Sequence, residues 1–303
     1  HFRSTDIWNS ASDANVYVST GWIGRFFNEN HSEYPENYPN TENPHPFAIT
    51  LGKVISETCQ GTKSNFSMAV SNPKKPGTAL VSNTGEIPAN CYGDTLNFVN
   101  NTIAQTNAYA DVIVNAANAG NTLTDKYQNT GNNKLSGKLR NVAKLISGGL
   151  KTKVYVVQLG GFDTHHSQVE EGNVTEGTHS KKLKDLSDSI VAFQDDLELL
   201  GIDKKVIGMT YSEFGRQIKS NSARGTDHGD AAPILVFGSN AGQRIAGKNP
   251  VISKYLADQS GIPIEFDFRD VYASLLTDWF RASETVTKEV FKKDLKHLKF
   301  LKN

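Results

Sequence analysis

Apolar positions along the chain fall into two alternating patterns. Over residues 94–120, Leu96, Val99, Ile103, Ala110, Ile113 and Ala117 recur at helical spacing, with Asp94 as a plausible N-cap and Gly120 as a stop. Leu135, Leu139, Val142 and Leu145 or Ile146 predict a second helix, ended by Gly148-Gly149. Leu183, Leu186, Ile190, Phe193, Leu197 and Leu200 predict a long amphipathic helix closed by Gly201, and residues 267–280 a late one capped by Asp267. Shorter helices are expected at 4–11 and 21–28. Between them lie short continuous apolar runs, at 46–52, 153–159, 204–211 and 232–238, which read as buried strands. Strands separated by helical segments argue for parallel pairing. The expected fold class is therefore α/β, a three-layer sandwich with a mostly parallel sheet flanked by helices, formed by one domain over residues 1–303. Residues 28–46 read as loop, and the Pro-, Gly-, Asn- and Ser-rich stretch 56–93 as a surface excursion.

Composition narrows the function classes. The chain has 303 residues, 37% of them hydrophobic, enough for a sizeable core. Lys plus Arg is 32 and Asp plus Glu is 32, so the net charge is zero and nothing favours nucleic-acid binding. No apolar run approaches the roughly 18–20 residues of a membrane span. The opening His1-Phe2-Arg3 already looks like folded sequence, which implies upstream residues missing from this chain. Two cysteines, Cys59 and Cys91, enclose the turn-rich excursion. They are expected to pair, and with that pairing comes an expectation of export.

Candidate chemistry gathers at strand ends. Asp163, Thr164, His165 and His166 follow the strand at 153–159, Ser212 to Arg216 follow the strand at 204–211, and Gly225 to Gly229 precede the strand at 232–238. Sites in open α/β sheets form at the carboxyl ends of strands, and the third cluster can fold back to that edge. Carboxylates and imidazoles without thiolates suit Zn, Mn or Fe, or Mg and Ca where carboxylates dominate. Glu213 and Arg216, if they begin a helical turn, face one way, and an arginine can bind an oxyanion bidentately. Each feature also has a plainer structural explanation: His166 as a solvated neighbour, Glu213 and Arg216 as an ion pair, Asp227 as a turn cap. His1, His31, His45, His179 and His297 read mostly as structural or exposed.

The motifs "GGFDTH", "SEFGR" and "GTDHG", with the opening "HFRSTDIW" and the late "RDVYASLLTDWF", resemble the bacterial family called domain of unknown function 1501. That family resembles the alkaline phosphatase and sulfatase superfamily of metal-dependent hydrolases. The resemblance implies metal ligation by Asp163, His165, Glu213, Asp227 and His228, a divalent metal (Zn, Mn, Ca or Mg), and Arg216 as the catalytic group that holds the substrate oxyanion or orients Glu213. Phe214 stands where a ligating His or Asn is usual, and the superfamily's first strand, with its Asp and hydroxyl nucleophile, would precede His1. The resemblance implies an exported bacterial protein, periplasmic, cell-surface or secreted, acting on a small-molecule or glycan phosphate or sulfate ester. Thr164, Ser212 and Thr226 stand beside ligands, but none is where that nucleophile is expected. The alternatives are a non-catalytic cell-surface or assembly protein that keeps the fold and meets a surface-protein partner, and a carbohydrate binder using the aromatic-rich loop 28–40.

Overall fold

A computed structural model describes residues 2–77, 86–128, 131, 134–242, 245–253, 255 and 261–302. His1 and residues 78–85 of the expected excursion lie outside the described residues. The chain folds into two compact units. One comprises Ser19–Gln158 and Ser189–Leu200, the other His1–Val18, Leu159–Asp188 and Gly201–Asn303.

The first of these units is mixed α/β, a small parallel sheet flanked by helices. Helices α1 (Phe2–Ser10) and α2 (Trp22–Asn28) open the chain, and α2 belongs here. Strands β1 (Ala48–Leu51), β2 (Ser67–Ala69) and β3 (Val154–Val157) run parallel in the order β2-β1-β3. Ala48 pairs with both Ser67 and Val154. The central strand is covered on both faces, all four of its residues are buried, and its one polar side chain, Thr50, pairs with the Ser67 hydroxyl at 2.7 Å. Phe27, Tyr34, Phe47 and Phe66 fill the neighbouring core, with the Tyr34 and Phe66 rings stacked at 4.3 Å. Helix α3 (Cys91–Ala119) packs on α4 (Leu135–Ser147), which packs on β3. Gly120 and Gly148 end these helices as expected. The start of α3 differs. Asn90, not Asp94, is the N-cap, its side chain accepting from the Gly93 N–H at 3.0 Å. Asp94 sits inside the first turn, where its charge complements the helix dipole.

The cysteine pairing is corrected. Both thiols are free. Cys59 is wholly buried in a 3-10 turn (Glu57–Cys59) beside β2, while Cys91 is exposed on the first turn of α3. A disulfide needs two side chains facing each other at short range, and the argument for export from a disulfide falls with it. The expected excursion therefore also contributes core: Thr58, Cys59 and Phe66 are all buried.

The other unit carries α1, the loop 159–177 and the first turns of α5 (Thr178–Leu199). It also holds β4 (Gly208–Met209), β5 (Gly215–Arg216), β6 (His228–Gly229), β7 (Val236–Phe237), α6 (Phe268–Asp278) and α7 (Glu284–Phe291). The expected strands at 204–211 and 232–238 shrink to two residues each, and β4 pairs β7 antiparallel. The reason is the connection. Parallel pairing needs a crossover, usually a helix, but residues 210–235 contain only the antiparallel ribbon β5–β6 and turns, so the chain simply reverses. Trp8 of α1 stacks on Phe268 at 4.2 Å, and buried Tyr272 donates to the Trp8 carbonyl at 3.3 Å. Asp267 caps α6 as expected. Helix α7 is short but amphipathic, with Val286 and Val290 four apart and Val290 and Phe291 buried, and it is capped by Ser283, which accepts from the Val286 N–H at 3.2 Å. Among the described residues no helix is long and apolar enough to cross a membrane.

Candidate metal centre

The ribbon β5–β6 builds the centre. Its register sets Gly215 opposite Gly229 and Arg216 opposite His228. The two glycines are required by space. A Cβ on Gly215 would lie 1.9 Å from the Ala231 carbonyl oxygen, and one on Gly229 2.5 Å from the Arg216 backbone. Directly opposed residues share a face of an antiparallel pair, as do residues two apart on one strand. Phe214, Arg216 and His228 therefore gather on one side. Residues 215–216 are extended, not helical, so three-residue spacing no longer sets Glu213 and Arg216 side by side as a helical turn would.

The loop after residue 159 is stitched to the loop before β6. Ser167 N–H donates to the Ala223 carbonyl at 3.0 Å, and Gln168 N–H to the Arg224 carbonyl at 2.9 Å. The Asn221 side-chain amide donates to the His165 carbonyl at 2.8 Å. Thr164 and Thr226, both buried, donate to one Gln168 oxygen at 2.8 and 2.9 Å. Gln168 went unread in the sequence. The only local hint was the Thr beside Asp in both "FDTHH" and "GTDHG".

These ties bring Asp163, His165 and His228 together. The Asp163 Oδ1 atom lies 2.8 Å from His228 Nε2 and 2.9 Å from His165 Nδ1. One ligand atom from each of the three falls within 4.8 Å of the other two. The remaining candidates are placed differently. Asp227 Oδ1 is 3.9 Å from His165 Nε2, at the edge of the group. Neither Asp227 nor Glu213 belongs to the group of three. The Glu213 backbone carbonyl accepts a hydrogen bond from the Ser4 hydroxyl. His166 is exposed.

Arg216 is tied to backbone on both sides of the group. Its Nη1 donates to the Thr226 carbonyl at 2.7 Å and its Nη2 to the Phe162 carbonyl, while Asp163 Oδ1 lies 3.5 Å away. The guanidinium ties the loop that carries Asp163 to the loop that leads into β6 and His228. It is the sheltered member, its side chain 15% exposed against 51% for Asp163. Its carbon also lies 5.1 Å from the Phe214 ring centre.

The donor set fits a divalent cation: one carboxylate and two imidazoles offer hard and borderline atoms, and a cation held by these three would keep further coordination positions open. The His228 hydrogen bond, with the charges of His165 and Arg216, holds the Asp163 carboxyl below the usual carboxylate range against the opposing effect of burial, so it is ionised near neutrality. The cavity of about 440 Å³ lined by Ser167, Glu170, Glu171, Lys181 and Arg224 does not include these three residues.

A family model described as a protein of unknown function (DUF1501) matches residues 142–291. This supports the DUF1501 family. The match spans "GGFDTH", "SEFGR", "GTDHG" and the late helix, while the opening "HFRSTDIW" lies outside it. No curated protein matches the chain, and no solved structure does.

Proposed function

We propose that this chain carries a divalent-cation site of a phosphate or sulfate ester hydrolase-like protein, held by Asp163, His165 and His228. The observation that carries the reading is the convergence of these three side chains from the loop after residue 159 and from strand β6, with potential ligand atoms within 4.8 Å. A divalent cation there would supply Lewis acidity toward an ester oxygen and toward water. The chain's own residues orient and exclude. Arg216 holds the two loops at a fixed separation, and the Thr164–Gln168–Thr226 bonds lock the loop behind Asp163. Asp227, 3.9 Å from His165, offers a further carboxylate at the edge of the group.

Weak turnover is part of the reading. A hydroxyl nucleophile needs freedom and an activating partner. Thr164 and Thr226 are buried and spend their hydroxyls on Gln168, and Ser212 donates to the Phe214 carbonyl at 3.2 Å. These commitments, with those of Arg216, favour the second reading, a non-catalytic surface or assembly protein that retains the cation site. The test is elemental analysis and cation titration of the 303-residue chain, wild type and His165→Ala and His228→Ala, beside an aryl phosphate and sulfate panel. The proposal expects cation binding that each substitution weakens at least tenfold, with turnover below about 1 s⁻¹. Unchanged cation content in both variants would refute the site. Turnover at or above that rate would show a nucleophile within the chain and reject the non-catalytic reading.

A further inference from the structure

We infer that Phe214 is a positioning residue for His228, acting through its ring rather than by ligation; this rests on the cation site proposed above. The Phe214 and His228 rings are stacked, with centroids 4.0 Å apart and planes only 5° from parallel. An imidazole on a two-residue strand has little backbone support of its own, and its terminal torsion is soft. A flat neighbour at stacking distance restricts that torsion. In the orientation it imposes, His228 Nε2 points at Asp163 Oδ1, 2.8 Å away. Arg216 stiffens the clamp from the same strand, its guanidinium carbon 5.1 Å from the Phe214 ring centre. His165 comes to 4.8 Å from His228, ring centre to ring centre, at a 49° tilt, so it borders the imidazole without stacking flat on it. Strand register explains how one aromatic side chain reaches this place. Arg216 opposes His228 directly, and Phe214 lies one residue before β5, where its ring reaches the His228 imidazole. A phenylalanine beside a ligand cluster is thus a part of the site's geometry, although it donates no atom to a cation.

The test is a Co(II) titration of the full 303-residue chain, followed by visible absorption, on wild type, Phe214→Tyr, Phe214→Leu and Phe214→Met. Thermal midpoints of the cation-free proteins are measured alongside. Partners that orient a ligating histidine typically change affinity by about 10- to 100-fold. Phe214→Tyr should keep the wild-type spectrum and affinity. Phe214→Leu and Phe214→Met should bind Co(II) about tenfold or more weakly, with an altered absorption envelope, at unchanged thermal midpoint. A wild-type spectrum and affinity in whichever of the aliphatic variants folds would overturn the inference while leaving the cation site standing. A wild type that binds no Co(II) would overturn both.

Discussion

Arg216 donates to two backbone carbonyls, those of Phe162 and Thr226. A hydrogen bond from a charged group contributes about 1.5–3 kcal/mol, and leaving buried carbonyls unpaired costs more. Arg216→Ala should therefore lower unfolding stability by about 2–4 kcal/mol. Arg216→Lys should restore less than half, because an ammonium cannot span two acceptors as a planar fork does. Urea denaturation measures both. Unchanged stability with lost affinity for anionic esters would return Arg216 to the oxyanion role. The two thiols offer a second test. Burial pushes the Cys59 thiol up to about 12, so at pH 8 its thiolate fraction is about one part in ten thousand. Thiol titration of the native, unreduced protein at that pH should find one reactive cysteine, Cys91, and two after denaturation. None in either state would reinstate a disulfide.

At the scale of the element, α6 depends on its N-cap. The Asp267 side chain accepts the Arg269 N–H at 3.0 Å and forms a two-oxygen pair with the Arg269 guanidinium, which also contacts Asp13. Asp267→Ala should cost about 1–2 kcal/mol from the cap alone. Burial pushes the Asp267 carboxyl up, yet the bonds and charge of Arg269 outweigh it and leave it below the usual range. The Arg269 hydrogen bond and charge lower Asp13 as well, against burial. A carboxyl depressed in the folded state stabilises above its unfolded value, about 3.9, and that contribution is lost as pH falls through the folded value. Urea midpoints should thus drop as pH falls below about 4, and Asp267→Asn should show a shallower drop below that pH. An identical pH slope in the variant would remove Asp267 from the acid response.

Across the molecule, stability should be unevenly spread. Ala48 and Ile49 of β1 are fully buried at the centre of a three-stranded sheet. The ladders β4–β7 and β5–β6 are two residues long and half-buried. Local opening follows few buried contacts and short ladders. Amide exchange at Ile49–Leu51 should be at least tenfold slower than at Gly208–Met209 or Gly215–Arg216. A cation bound by His228 stabilises the conformation that binds it. Added Zn(II) should therefore slow exchange at 215–216 and 228–229 and leave β1 unchanged. Equal slowing in both units would point to a global effect instead.

Helical periodicity was legible because it records which face of a local segment is buried. The spacing of α3, α4 and α5, the Asp267 cap and the Gly120 and Gly148 stops needed no knowledge of partners. The apolar runs of β1 and β3 were legible as strands too, although β3 is half-buried along its length rather than buried as expected. The kinds of residue able to ligate a cation were legible too, as Asp and His beside glycines. Tertiary structure alone decided which strands pair, and β4 met β7 antiparallel because the chain between them reverses without a helix. It alone left Cys59 enclosed and Cys91 exposed, outcomes of packing that two cysteine letters do not encode. It brought Asp163, His165 and His228 together out of the five candidate residues, set Phe214 flat on His228, and turned Arg216 onto backbone carbonyls. Side-chain direction and strand partnership depend on contacts between residues far apart in the chain, whereas periodicity reports only near neighbours and burial.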